Sequence, residues 1–394
     1  MKRKLPPLTS KEDALALLFS RWTPVRRTET IPLAEADGRV LGEDRYADWD
    51  LPVVRASLMD GIAVRSSLFA DGLPDTSAWQ PGRDYVRADT GDDFPDEFDA
   101  VIAIEDVTVG ENGGIRLAEG LAVKAGDNIK GRGADVRRGD LLLSSGTVLT
   151  PRDLAVLGAA GSAEIPVIVR PRVAFLPTGS ELIPVGTPLR RGQNYDTNSL
   201  MAAPMLRRMG AEPVMHEIVP DEPEEIRRAF LELLPQSDIV LVNAGTSKGA
   251  EDYCAKLLEE QGDVLFHGVA AIPGRPMSMA VVNGRAVINL SGPTPAAFHS
   301  IYWAVRPIIC YALGLPAPEP RTVRAVLTGP IRTQAELSKM CPVRLERKDG
   351  IVLGHPVDLH GPRTASLTAE GIYLTKPGEA PLSAGDEITV ELPD

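Results

Sequence analysis

Four carboxylates and two glycine-bearing loops carry most of the reactive potential of this chain. Asp60 opens the dipeptide Asp60-Gly61, directly ahead of the apolar run Ile62-Ala63-Val64. Asp-Gly is a turn dipeptide because glycine takes positive φ at no steric cost. A carboxylate on a tight turn at the mouth of a strand suits a metal or ligand site better than a plain surface turn. Glu181 closes the loop Thr178-Gly179-Ser180-Glu181, which follows a strand-like run over residues 173–176. Gly245, Thr246, Ser247 and Lys248 form a second such loop after the run 239–242. A glycine turn at a strand end opens backbone N–H groups toward an anion. Two of them after strands of one parallel sheet would converge on a crevice fit for a phosphate group.

Asp221 follows Ile218-Val219-Pro220, and Asp252 stands beside Tyr253. Mg²⁺ takes one or two carboxylates and completes its shell with substrate phosphate oxygens and water. Asp60, Asp221 and Asp252 are therefore candidate metal ligands. Asp221 taken singly also reads as a helix N-cap ahead of residues 222–234.

The bulk composition narrows the classes. A net charge of -12 argues against broad nucleic-acid binding, because a phosphate backbone would meet no basic face. An anionic substrate would then need a local basic pocket. His216, His267, His299, His355 and His360 lack zinc-ligand spacing. Cys254, Cys310 and Cys341 are far apart and fit a reduced, cytoplasmic setting. The start Met1-Lys-Arg-Lys-Leu-Pro-Pro lacks the apolar stretch of a leader, and the apolar run 301–313 is broken by Arg306-Pro307. No membrane association is expected.

These residues need a scaffold, and 394 residues call for two to four domains. Thr9-Ser-Lys-Glu12 reads as a capping box for a first helix, and residues 28–46 as strand, turn and helix. From 47 to 145 the pattern is short strands (101–104, 115–117, 141–143) with a hairpin turn at Gly110–Gly114. Thr150-Pro151-Arg152-Asp153 starts another helix that Gly161 closes. Residues 173–318 alternate strand and helix, with Ile226, Ala229, Phe230, Leu233 and Leu234 on one helical face. That alternation predicts a doubly wound parallel sheet, whose ligands bind beyond the carboxyl ends of the strands. After the stiff segment Pro316-Ala-Pro-Glu-Pro320, residues 319–394 read as a small β-barrel.

Several ordered blocks carry a family resemblance over nearly the whole chain. They are Ser57-Leu-Met-Asp60-Gly61-Ile-Ala63, Arg87-Ala-Asp-Thr90-Gly91, Asn128-Ile-Lys-Gly-Arg-Gly-Ala-Asp135, Pro177-Thr-Gly-Ser-Glu-Leu182 and Asp196-Thr-Asn198. Together they resemble the MoeA family, the molybdopterin molybdenumtransferases that include the gephyrin E domain. The resemblance implies an elongated first domain in two pieces (1–46 and 146–172), an inserted β-rich domain (47–145), an α/β molybdopterin-binding domain (173–318) and a C-terminal barrel (319–394). It implies a homodimer, with Asp60 on the inserted domain meeting the α/β domain of the partner subunit. It also implies insertion of molybdate into adenylylated molybdopterin with Mg²⁺-dependent release of AMP, and contact with other proteins of cofactor biosynthesis. Catalytic roles then fall on Asp60, Thr90, Glu181, Asp221 and Asp252.

Three departures from the family pattern bear on that reading. Ile272-Pro273-Gly274-Arg275-Pro276 stands where the family has Lys-Pro-Gly-Lys-Pro, whose lysines hold the molybdate dianion. Arg275 can donate to an oxyanion and Ile272 cannot. Leu290-Ser-Gly-Pro-Thr-Pro295 replaces Leu-Pro-Gly-Asn-Pro, and Asn243-Ala244-Gly245 replaces Ser-Gly-Gly, with Lys248 as a candidate replacement cation. Ser366 lies in a stretch like the family's serine-rich oxyanion loop, and Arg344 and Arg363 are candidates for its arginine. Gly274, Arg275 and Pro276 are the candidate binding residues of their loop. The departures favour an alternative of another class: a non-catalytic paralogue that binds or carries molybdopterin or the finished cofactor.

Overall fold

The computed structural model describes residues 8–110, 114–244, 250–359, 361 and 363–393. The chain divides into two compact units, one of residues 30–167 and one of residues 1–29 with 168–394. In the first of these, the strand Gly61–Val64 lies between Tyr85–Ala88 and Ala100–Ala103, antiparallel to both. All four of its residues are buried because both faces are covered. Ile62, Val64 and Phe69 pack on one side, and Ala63, Phe94 and Phe98 on the other. A second cluster gathers Leu41, Leu149, Leu157 and Ile165 around the helix Pro151–Ala159. Thr150 starts that helix as the sequence predicts, and it does so through a full capping box with Asp153, which the sequence reading did not specify. Residues 28–46 differ from expectation. They form the strands Thr28–Pro32 and Arg45–Tyr46 with one 3-10 turn, Leu33–Glu35, between them and no helix.

The other unit holds the predicted doubly wound sheet. Its order is Glu212–Met215, Arg172–Pro177, Ile239–Ala244, Arg285–Ser291, Ser278–Val282, Asp263–His267. The first four strands are parallel, and Ser278–Val282 runs antiparallel to both its neighbours. Strands covered on both faces lose alternation, hence the unbroken apolar runs. The helix Pro223–Leu233 buries Ile226, Ala229, Phe230 and Leu233 against this sheet, the face expected from its spacing. The helix Lys11–Arg21 packs on the same sheet, and Trp22 Nε1 donates to the Gly284 carbonyl at 3.2 Å. Its N-cap is Ser10, one residue beyond the expected Thr9, because Ser10 Oγ accepts from the Asp13 N–H at 2.9 Å.

A closed five-stranded barrel follows. Arg321–Leu327, Ser338–Lys348, Ile351–Pro356, Gly371–Leu374 and Glu387–Leu392 close on themselves through the pairing of Ser338–Lys348 with Gly371–Leu374. Leu327, Cys341, Val343, Ile388 and Val390 fill its interior. The short strand Ala271–Ile272 adds to its edge, with Ile272 in register with Lys339.

Candidate functional site

The residues singled out from the sequence fall into four groups. Asp60 and Thr90 form the first, in the unit of residues 30–167. The Thr90 N–H and Oγ1–H both donate to Asp60 Oδ1, at 2.7 and 2.8 Å, while the Asp60 carbonyl accepts from the Ile104 N–H at 2.7 Å. The Thr90 backbone bond, its hydroxyl bond and the nearby Arg87 charge hold the Asp60 carboxyl below the usual range. Asp60 is thus an exposed, ionised carboxylate fixed in one orientation. Gly61 serves differently from expectation. It does not take positive φ, and a Cβ there would collide with the Ile102 carbonyl of the neighbouring strand. The glycine is required by close backbone approach, which seats Asp60 at the strand's start.

The second group lies at the carboxyl end of the parallel sheet. Asn243 is its hub: its amide donates to the Ser291 carbonyl at 3.0 Å, and its Oδ1 accepts from Asn198 Nδ2 at 2.8 Å. Asn198 also donates to the Gly292 carbonyl at 2.6 Å, and the Thr197 and Thr294 hydroxyls meet at 3.0 Å. Glu181, Asp196, Asn198, Asn243 and Thr294 line a cleft of about 650 Å³. A neighbouring cleft of about 1340 Å³ shares Leu182 and Asp196 with it. Asp196 Oδ1 accepts from the Ser199 N–H at 3.0 Å. The sequence reading singled out Glu181 but gave no role to Asn198 or Asn243.

The Thr178-Gly179-Ser180 loop does not open its amides to a ligand. The Thr178 N–H donates to the Asn243 carbonyl and the Gly179 N–H to the Val219 carbonyl, each at 2.9 Å. The Ser180 N–H points to Asp221 Oδ2 at 3.3 Å, and the Asp221 N–H donates back to Ser180 Oγ at 2.9 Å. Asp221 is therefore a clasp between two loops. It does not cap the following helix, whose N-cap position is Glu222. Its Oδ1 is buried with no hydrogen-bond partner among the described residues. The second loop, with Gly245, Thr246, Ser247 and Lys248, lies outside the described residues, as does the side chain of Asp252.

The third group is the loop of Gly274, Arg275 and Pro276. The Val269 N–H donates to the Arg275 carbonyl at 2.9 Å and closes it, and Arg275 is exposed. Gly274 has φ of 107, and a Cβ there would come within 2.9 Å of Ser300 Oγ. His299 Nδ1 bonds the Pro273 carbonyl at 2.8 Å; complete burial drives this imidazole's pKa down to about 3, with Lys11 adding to the effect. The fourth group lies in the barrel region. Ser366 falls in the five-residue helix Arg363–Leu367 beside the strand Ser338–Lys348. Arg344 alternates with the interior residue Val343 and stands exposed opposite His355, while the Arg363 side chain is outside the described residues. Sequence reasoning missed Arg332 and Lys339, which line the barrel mouth.

Among the described residues, no three His, Cys, Asp or Glu side chains come together as a metal cage. A phosphate-bridged Mg²⁺ needs fewer ligands, and the unpartnered Asp221 Oδ1 is a donor of the right chemistry for one. No helix among the described residues is long and apolar enough to cross a membrane.

A parallel sheet with a polar cleft beyond its strand ends, joined to a β-rich unit and a closed barrel, defines a multidomain α/β binding protein. The sequence comparisons narrow this class. Residues 9–161 match the MoeA N-terminal region (domains I and II), and residues 174–310 match a probable molybdopterin-binding domain. A molybdopterin molybdenumtransferase of Haemophilus influenzae is 34% identical over 73% of this chain and 74% of its own length. Molybdopterin molybdenumtransferase 2 of Mycobacterium tuberculosis is 31% identical over 92% of this chain and 95% of its own length. The crystal structure of a molybdopterin biosynthesis MoeA protein from Pyrococcus horikoshii, 26% identical, superposes with a TM-score of 0.82 over 98% of this chain and all of the other. The chain belongs to the MoeA family of molybdopterin molybdenumtransferases, which are transferase enzymes of molybdenum cofactor biosynthesis.

Proposed function

We propose that this chain binds adenylylated molybdopterin in the sheet-end cleft, frees AMP and inserts molybdate into the pterin's dithiolene. The observation that carries the reading is the cleft lined by Glu181, Asp196, Asn198 and Asn243. Carboxylates there can accept the amine and ring N–H protons of a pterin, and the bonded asparagines fix the cleft's shape before a ligand arrives. Hydrolysis adds water across the phosphoanhydride, giving AMP and a pterin phosphate. Asp60, oriented by Thr90, is the carboxylate best prepared to order that water or a metal. Asp60, Asp221 and Asp252 would hold Mg²⁺ against the phosphates, where the ion would neutralise developing charge. Gly274, Arg275 and Pro276, with Ser366, would flank the molybdate, and Lys248 is a further candidate cation.

The working unit is a homodimer. Trp49, Val53, Val54, Leu58 and Met59, in the segment of sequence leading to Asp60, are all exposed. A second copy, presenting its α/β domain, is the occupant that would cover these apolar side chains and complete the site. Sedimentation of a stable monomer at micromolar concentration would remove the shared-site part of the reading.

The carrier alternative is favoured by one observation: Ile272 leaves its position without a cation. Titration with adenylylated molybdopterin, with and without molybdate, decides between them. Molybdate-dependent AMP release establishes the transferase, whereas tight binding without release establishes the carrier.

A further inference from the structure

The cation missing at residue 272 has a neighbour across the sheet. In the parallel pair, Ile272 is the register partner of Lys339, so both side chains leave the same face of the barrel's edge. Adjacent strands lie about 4.8 Å apart, a gap that a lysine's four-carbon stem can span. The loop carrying Arg275 is fastened to this strand. The Ser338 N–H donates to the Ala270 carbonyl at 2.9 Å, and the Val269 N–H to Arg275 closes the same loop. Lys339 is half-buried and lines the barrel mouth, a space of about 1170 Å³, with Arg332.

The surroundings suit an anion. Cys341, two residues on and so on the same face, is held neutral: burial drives its thiol up to about 11 against the pull of the Lys339 charge, with the Glu379 carboxylate, itself bonded by the Tyr373 hydroxyl and the Lys376 N–H, adding to the rise. Asp358 also lines the mouth but already has an interaction partner. Neither Arg332 nor Lys339 is ion-paired among the described residues.

We infer that Lys339 supplies the ammonium that Ile272 lacks, so that the molybdate dianion is held between Lys339 on the barrel and Arg275 on the loop. Arg332 reinforces the field of the mouth. The inference rests on the proposed transferase reading and refines its oxyanion site. A cation in this corner has then moved one strand sideways while its charge stays in place.

The test uses the full chain and measures molybdate directly, by calorimetric titration and by the molybdate dependence of AMP release. Lys339→Met keeps the aliphatic stem and leaves untouched the backbone bonds of residue 339 with Thr375, both 2.9 Å. It should weaken molybdate binding about tenfold or more, as loss of one charge-assisted contact requires. Adding Ile272→Lys to that variant should restore affinity to within about threefold, because the charge returns to the same corner. If Arg275→Ala weakens molybdate binding and Lys339→Met does not, the inference is overturned while the transferase reading stands. If the double variant fails to recover, or Lys339→Met lowers the melting temperature along with affinity, Lys339 is a structural residue and the inference falls. If the unaltered protein neither binds molybdate nor needs it for AMP release, the transferase reading itself fails and takes the inference with it.

Discussion

In the cleft at the sheet's carboxyl end, the polar groups hold one another. Asn198 bonds Asn243 and the Gly292 carbonyl, Asn243 bonds the Ser291 carbonyl, and Ser180 and Asp221 clasp reciprocally. In the barrel mouth Arg332 and Lys339 have no ion-pair partner among the described residues. On the proposed reading the first region would recognise by fixed shape, so a substitution must be matched by its bonded neighbours. The second would recognise by charge, which long side chains can deliver from more than one position. On the inference drawn from Lys339, residue 272 can be apolar without emptying the corner of charge.

The largest effect should come from a carboxylate outside both regions. Asp60→Asn keeps the Thr90 bonds but removes the charge, and AMP release should fall on the order of a hundredfold or more. Its stability should stay within about 0.5 kcal/mol of the parent, as an exposed site allows. Unchanged turnover would take Asp60 out of the mechanism.

The comparison itself is broken most directly at Asn243. Asn243→Ala strips partners from Asn198 and the Ser291 carbonyl inside a buried cluster, at a cost of about 1–3 kcal/mol for each polar group left unpaired. Chemical denaturation should register this together with weaker pterin binding. A silent variant would mean the cleft is not built on fixed shape.

Acid sharpens the contrast next. His299 is neutral in the fold, with its pKa depressed to about 3, so the unfolded chain binds more protons below about 6.5. Its stabilising contribution is therefore complete above about 6.5 and is lost as pH falls toward 3, at no more than about 1.4 kcal/mol per pH unit. His299→Gln should flatten the acid limb of melting temperature against pH. An identical limb would show that other groups govern it.

The smallest effect is expected at Ile272. In the otherwise unaltered chain, Ile272→Lys should change molybdate affinity by less than about threefold, since the corner already holds its charge. A tenfold gain would mean that the mouth is short of a cation.

What was legible in the sequence follows from the range of the forces involved. The apolar runs at 239–242 and 287–290, the face of Pro223–Leu233 and the helix start at Thr150 are local patterns, and all formed where expected. Asp221 misled because a carboxylate before Pro223 looks like a cap, while its actual partner, Ser180, belongs to another loop. The amides of Thr178 and Gly179 looked open because their acceptors, the carbonyls of Asn243 and Val219, arrive only when strands pair. The register of Lys339 with Ile272 was invisible for the same reason, since no local window contains both residues.

The two-residue strand Ala271–Ile272 has a consequence for how the chain can be cut and recombined. It is an edge of the barrel's sheet, yet the chain on either side of it returns to the α/β sheet through Asp263–His267 and Ser278–Val282. The barrel is therefore not an exchangeable appendix. Truncation before residue 319 would leave the doubly wound sheet its own core but unfasten the segment bearing Arg275. A barrel transplanted from a relative would need to bring a compatible pairing edge, and the residue it set opposite Ile272 would come as part of the graft.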